Sequence, residues 1–145
     1  MSEKFDLERF VEAQSGTFDT ALSEIRRGAK RSHWMWFIFP QIEGLGSSPT
    51  AQRYGIASLD EARAYADHPI LGRRLKVCVA ALQDQVGTTA EAVFGPTDAM
   101  KLRSSLTLFA IATRAPLFEA ALDRWFDGEK DGATLAKIES LRPAA

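Results

Sequence analysis

At 145 residues with one cysteine, this chain is sized for a single domain and cannot form an internal disulfide. Eighteen cations against 19 anions leave no basic excess, which disfavours a general nucleic-acid binder. Acidic residues near the start, with no apolar signal-type run there, and a longest apolar run of six residues exclude a signal peptide and a membrane span, so the cytoplasm is the expected location.

From the start, Asp6 is positioned to cap a first helix with Leu7, Phe10, Val11 and Gln14 on one face. Ser15-Gly16 breaks it. Thr17 can cap a second helix striped by Phe18, Ala21, Leu22 and Ile25, with Arg26 and Arg27 in its last turn and Gly28 beyond. Then comes the stretch on which the chain centres, Lys30 to Gln41, where six consecutive large apolar residues follow a histidine. It fits a buried strand or a buried helix. No second convincing strand exists to pair with it, which favours a helix capped by Ser32 and limited by Pro40.

Gly44 to Pro49 is loop chemistry, and Ser48-Pro49 makes a good opening for a short helix through Tyr54. Ser58 with Glu61 has capping-box spacing, as does Thr88 with Glu91. Between them Pro69 opens a helix with the stripe Leu71, Leu75, Cys78, Val79, Leu82 and Val86. Pro96 opens a long helix to about Thr113, apolar nearly all round in its second half and so buried on most sides. Pro116 opens another that Gly128 stops. Asp131 can cap a last one carrying Leu135, Ile138 and Leu141. The expected fold is all-α, one multihelical domain over residues 1–145 with its core in 5–141, of about seven to nine helices.

Polar residues flank the two most apolar helices, where a core alone does not require them. A pocket built from the Lys30–Gln41 stretch, the Gly44–Tyr54 loop and the start of the Lys101 helix would suit a nucleotide-like or otherwise phosphorylated small molecule. Lys30, Ser48 and Lys101 would hold the anion and Trp36 would stack. Ser32, Gln41, Tyr54, Ser104 and Ser105 would add hydrogen bonds. His33 is the proton-transfer candidate, since an imidazole titrates near neutrality. The plainer alternatives stay open. The aromatics can be simple core, His33 a structural histidine, the glycine-rich turn an ordinary connection and Lys101 a surface partner of Asp98. On that reading the chain is a non-catalytic protein–protein module. Whether it is an enzyme is not decided by the residues. His33 and His68 stand far apart, Cys78 sits on an apolar stripe, and no zinc-type spacing or Walker lysine occurs, so neither metal nor cofactor is expected.

The segments SHWMWFIFPQ, LGSSPTAQRYGI and KLRSSLTLF resemble the family catalogued as domain of unknown function 1810, over about Phe5 to Leu141. The resemblance implies a mainly helical single domain and no particular activity. Some members of that family carry the label calpastatin, but this chain lacks the proline-rich, disordered character of such an inhibitor.

Overall fold

The computed structural model describes residues 5–141; residues 1–4 and 142–145 of the expected domain lie outside them. Ten helices and no strand occur among the described residues, one helix above the expected range. Several are single turns, too short to show a period.

The first two are α1 (Glu8–Gln14) and α2 (Phe18–Arg27). Neither Asp6 nor Thr17 supplies the expected side-chain cap. Leu7 precedes α1 and Thr17 precedes α2, both with ψ near the helical value, −16° and −29°. A capping side chain needs extended backbone to turn back on the first amides. Gly28 closes α2 as expected, at φ 72°.

The central stretch departs from the sequence expectation. Only one turn, α3 (Met35–Ile38), is helical. Upstream, the buried Glu24 carboxylate draws the chain out of helical geometry. Its Oε1 accepts the backbone N–H groups of Arg31 and Ser32 at 2.9 and 3.0 Å and the Trp34 indole N–H at 2.9 Å. Its Oε2 accepts the Ser32 hydroxyl at 2.6 Å, so Ser32 caps nothing. Downstream, Pro40 biases Phe39 towards extended backbone, φ −124°, ψ 75°. The stretch is core all the same: Trp34, Phe39 and Phe94 make a ring cluster with centroids 6.2–6.3 Å apart. Gln14 donates to the Phe37 carbonyl at 2.7 Å, tying α3 back to α1.

Chain 43–55 is then pinched shut by one parallel bridge, Ile42 to Ile56. Ile56 N–H donates to Gln41 O and Glu43 N–H to Ile56 O, both at 2.8 Å. The enclosed loop carries α4 (Pro49–Arg53), whose Ser48 cap accepts the Ala51 N–H at 3.1 Å. Ser58 caps α5 (Leu59–Asp67) through the Glu61 N–H at 3.1 Å, while Glu61 reaches back to the Ala57 N–H at 2.8 Å and pairs with Arg9 at 3.1 Å.

His68 starts α6 (Leu71–Gln83): its Nδ1 accepts the N–H groups of Ile70 and Leu71 at 3.1 and 3.3 Å. The helix stops at Gln83, so Val86 lies beyond it and is 82% exposed instead of completing the stripe. Burial pushes the Cys78 thiol up to about 12, which leaves it a small apolar core residue at neutral pH. At Gly72 a Cβ would lie 2.0 Å from the Ala66 carbonyl oxygen. Gly72→Ala is therefore expected to cost about 2–3 kcal/mol in urea unfolding, despite a helix-propensity gain of up to about 1 kcal/mol. An unchanged midpoint would contradict that close approach.

Thr89, not Thr88, caps α7 (Ala90–Phe94). Next comes α8 (Pro96–Thr113), the central helix, which packs on α5, α7, α9 (Pro116–Phe126) and α10 (Gly132–Ser140) and more lightly on α3. Its second half is buried nearly all round, as its composition requires. Asp131 caps α10 by accepting the Thr134 N–H at 2.9 Å. Of the expected α10 stripe only Ile138 is buried, while Leu135 and Leu141 are exposed. Polar contacts dock the start of that helix instead. Arg103 donates to the carbonyls of Glu129 and Lys130 at 2.9 and 3.1 Å, and Thr107 accepts the Asp131 N–H at 2.9 Å.

Candidate functional site

A cavity of about 470 Å³ opens where α3, the Gly44–Ala51 segment and the first turns of α8 and α10 meet. Trp36 and Gln41 come from the central stretch, and Leu45 to Ser48 with Ala51 from the pinched loop. Thr97, Met100, Lys101 and Ser104 come from α8, and Asp131 and Ala133 from the start of α10. The Ile42–Ile56 bridge holds the loop wall, and the Arg103 and Thr107 bonds hold the α10 wall. A larger but more open groove of about 680 Å³ runs past His68, Arg73 and Lys76 and has no aromatic lining.

The charged feature of the cavity is a graded chain of contacts. Lys101 Nζ lies 4.3 Å from the centroid of the half-buried Trp36 ring, a cation–π arrangement. It also pairs with Asp98 at 3.2 Å. Lys30 holds the second Asp98 oxygen at 2.8 Å, donates to the Ser32 carbonyl at 2.5 Å, and sits 4.9 Å from the Trp34 centroid. Burial alone would push the Asp98 carboxyl up. The hydrogen bond and charge of Lys30, and then those of Lys101, outweigh it and hold the group below its ordinary value. Asp98 is thus neutralised twice over, and Lys101 can turn to a ligand without stranding it.

One turn further along α8, where the start of α10 meets it, lies a hydroxyl chain. The Thr134 hydroxyl donates to Asp131 Oδ2 at 2.6 Å, and the Ser104 hydroxyl lies 2.7 Å from that of Thr134. Asp131 was legible from the sequence only as a helix cap, and Thr97, Met100 and Ala133 carried no signal. Their place at the cavity follows from how α8 and α10 dock.

A family model described as "Protein of unknown function (DUF1810)" matches residues 4–138. The chain belongs to the DUF1810 family. Its fold is close to that of a solved structure, the conserved hypothetical protein Rv1873 from Mycobacterium tuberculosis. The two are 49% identical with a TM-score of 0.93, over 94% of this chain and 99% of the other. No curated protein matches the chain.

Of the residues singled out in this DUF1810 chain, the fold brings Trp36, Gln41, Ser48, Lys101 and Ser104 to one cavity. The others stand apart from its lining. Lys30 is behind Asp98, and Ser32 is bound to Glu24. Tyr54 packs between Phe10 and Phe37, at centroid distances of 5.7 and 5.4 Å, and borders a cleft of only about 10 Å³ that also touches Trp36 and Gln41. His33 is exposed at the bend before α3. Ser105 is buried and its hydroxyl has no partner among the described residues. Among the same residues, no group of three or more His, Cys, Asp or Glu side chains could hold a metal ion, and no helix is long and apolar enough to cross a membrane.

Proposed function

We propose that this DUF1810 protein binds a small anionic molecule, nucleotide-like or otherwise phosphorylated, in the cavity beside Trp36 and Lys101. The observation that carries this reading is the Lys101 ammonium, held over an indole at the cavity wall by a carboxylate that a second lysine already neutralises. An anion approaching Lys101 gains a charge-assisted hydrogen bond and loses little, since Asp98 keeps Lys30. Trp36, Met100, Leu45 and Ala51 offer apolar contact to the rest of the molecule. The first turn of α8, an 18-residue helix, adds a favourable dipole end at the same place. The reading is one of binding in the cytoplasm. It gives no proton-transfer role to His33, which stands exposed outside the cavity lining.

The test is a thermal-shift screen with nucleotides and phosphosugars on the wild-type chain and on Lys101→Ala. A true ligand at about 100 times its Kd stabilises by about 2.7 kcal/mol, a shift of several degrees. Lys101→Ala is expected to weaken that ligand about tenfold to a hundredfold, the worth of one hydrogen bond to a charged group. A panel without any shift, or a shift that Lys101→Ala leaves intact, would overturn the reading.

A further inference from the structure

We infer that the cavity is bipolar and selects an anionic ligand that also carries an N–H donor group, set against Asp131 and Ser104. The inference rests on the binding reading above and specifies what that site would take.

The direction of two hydrogen bonds carries it. A hydroxyl has one proton to give. Thr134 gives its proton to Asp131 Oδ2 at 2.6 Å, because an ionised carboxylate only accepts. The 2.7 Å contact between Thr134 and Ser104 is then made by the proton of Ser104. Ser104 Oγ is left with lone pairs alone. Asp131 has no cationic partner among the described residues, and its backbone N–H is already spent on Thr107 at 2.9 Å. Its Oδ1 therefore also shows lone pairs alone. The seam of α8 and α10 thus offers acceptors and negative charge, whereas Lys101 beside Trp36 offers a donor and positive charge.

A ligand oxygen without a proton of its own, set against Asp131 and Ser104, would meet acceptors and lose its water without replacement. An amino group there would be satisfied. The exocyclic amines of adenine and cytosine are such donors, whereas a keto oxygen in the same place is an acceptor. The ammonium of a small phosphorylated amine offers the same chemistry without a ring.

Matched pairs separate these cases by calorimetry. Adenosine against inosine monophosphate and cytidine against uridine monophosphate exchange the exocyclic amine for a keto oxygen and move the N–H donor to the adjacent ring nitrogen, so they test a donor at the exocyclic position. Phosphoethanolamine against 2-phosphoglycolate, which puts an acceptor-only carboxylate in place of the ammonium, tests the ring-free source. The amino member of at least one pair is expected to bind about tenfold tighter or more, about one unmatched hydrogen bond. Asp131→Asn keeps a residue suited to the helix cap and removes the charge, so the preference should fall below about threefold. Circular dichroism of that variant checks that α10 is retained, and Ser104→Ala gives a second route that spares the cap. A preference that survives both substitutions, or equal Kd within every pair while Lys101→Ala abolishes binding, overturns the selection and leaves the anion site standing. Absence of binding by all six compounds overturns this inference, and it reaches the anion site only if the wider nucleotide and phosphosugar screen is also silent.

Discussion

Glu24→Ala is expected to lower the unfolding free energy by about 4 kcal/mol, among the largest single-site effects in this fold. Glu24 is 3% exposed, and its two oxygens collect four donors: two backbone amides, one hydroxyl and one indole N–H. Removing the acceptor leaves all four buried or half-buried and unpaired. Glu24→Gln is the informative companion. Its amide oxygen can accept the three N–H groups, and its amide nitrogen can donate to a reversed Ser32 hydroxyl. Every partner is then satisfied and only the charge is lost, at about 1–2 kcal/mol.

The two variants also part in acid. Burial pushes the Glu24 carboxyl up, but the bonds from Ser32, Arg31 and Trp34 outweigh it and bring it from 4.5 to about 2. A carboxyl depressed in the folded state contributes stability above its unfolded pKa and loses it as pH falls through the folded one. Wild-type stability should therefore decline by about 3 kcal/mol from this group between about pH 5 and pH 2. Glu24→Gln should remove that share of the slope. Urea unfolding at stepped pH reads both, and parallel acid profiles for wild type and Glu24→Gln would refute the assignment.

Asp98→Ala is expected to cost about 2–3 kcal/mol, because it strands Lys30. That ammonium is the buried member of the trio, its side chain 6% exposed, while Asp98 and Lys101 are each 21% exposed. Lys101→Ala, by contrast, leaves Asp98 with Lys30 and should cost less than about 1 kcal/mol. Lys30→Met in the Asp98→Ala background should recover most of the loss, since the uncompensated charge is gone and the stem still packs on Trp34. Equal costs for Asp98→Ala and Lys101→Ala, or no recovery with Lys30→Met, would mean that the chain of charges behind the cavity is not coupled as its distances suggest.

Much of the fold was legible residue by residue. Gly28 after two arginines, Ser48 before Pro49, Ser58 three before Glu61 and Asp131 before Thr134 each mark a helix end through bonds made within one turn. The apolar run of α8 likewise required burial on most sides wherever that helix came to lie. Such features rest on contacts between residues a few positions apart, so sequence carries them.

The central stretch shows the limit. Its hydrophobicity guaranteed burial, but of Lys30 to Gln41 only Met35–Ile38 is helical, because Glu24, upstream in α2, claims the Arg31 and Ser32 amides that would have begun a longer helix. The cavity shows it more strongly. Trp36 and Lys101 were visible as an aromatic ring and a cation for a ligand, and Asp131 only as a helix cap. That Lys101 lies over Trp36, and that Asp131 and its hydroxyl chain share their cavity, depends on how α3, α8 and α10 dock. Docking is decided by summed burial and long-range hydrogen bonds such as those of Arg103 and Thr107. No local pattern encodes those terms, so composition and spacing determined which helices form and which faces are buried. Only the packed chain decided which polar groups would share a hollow.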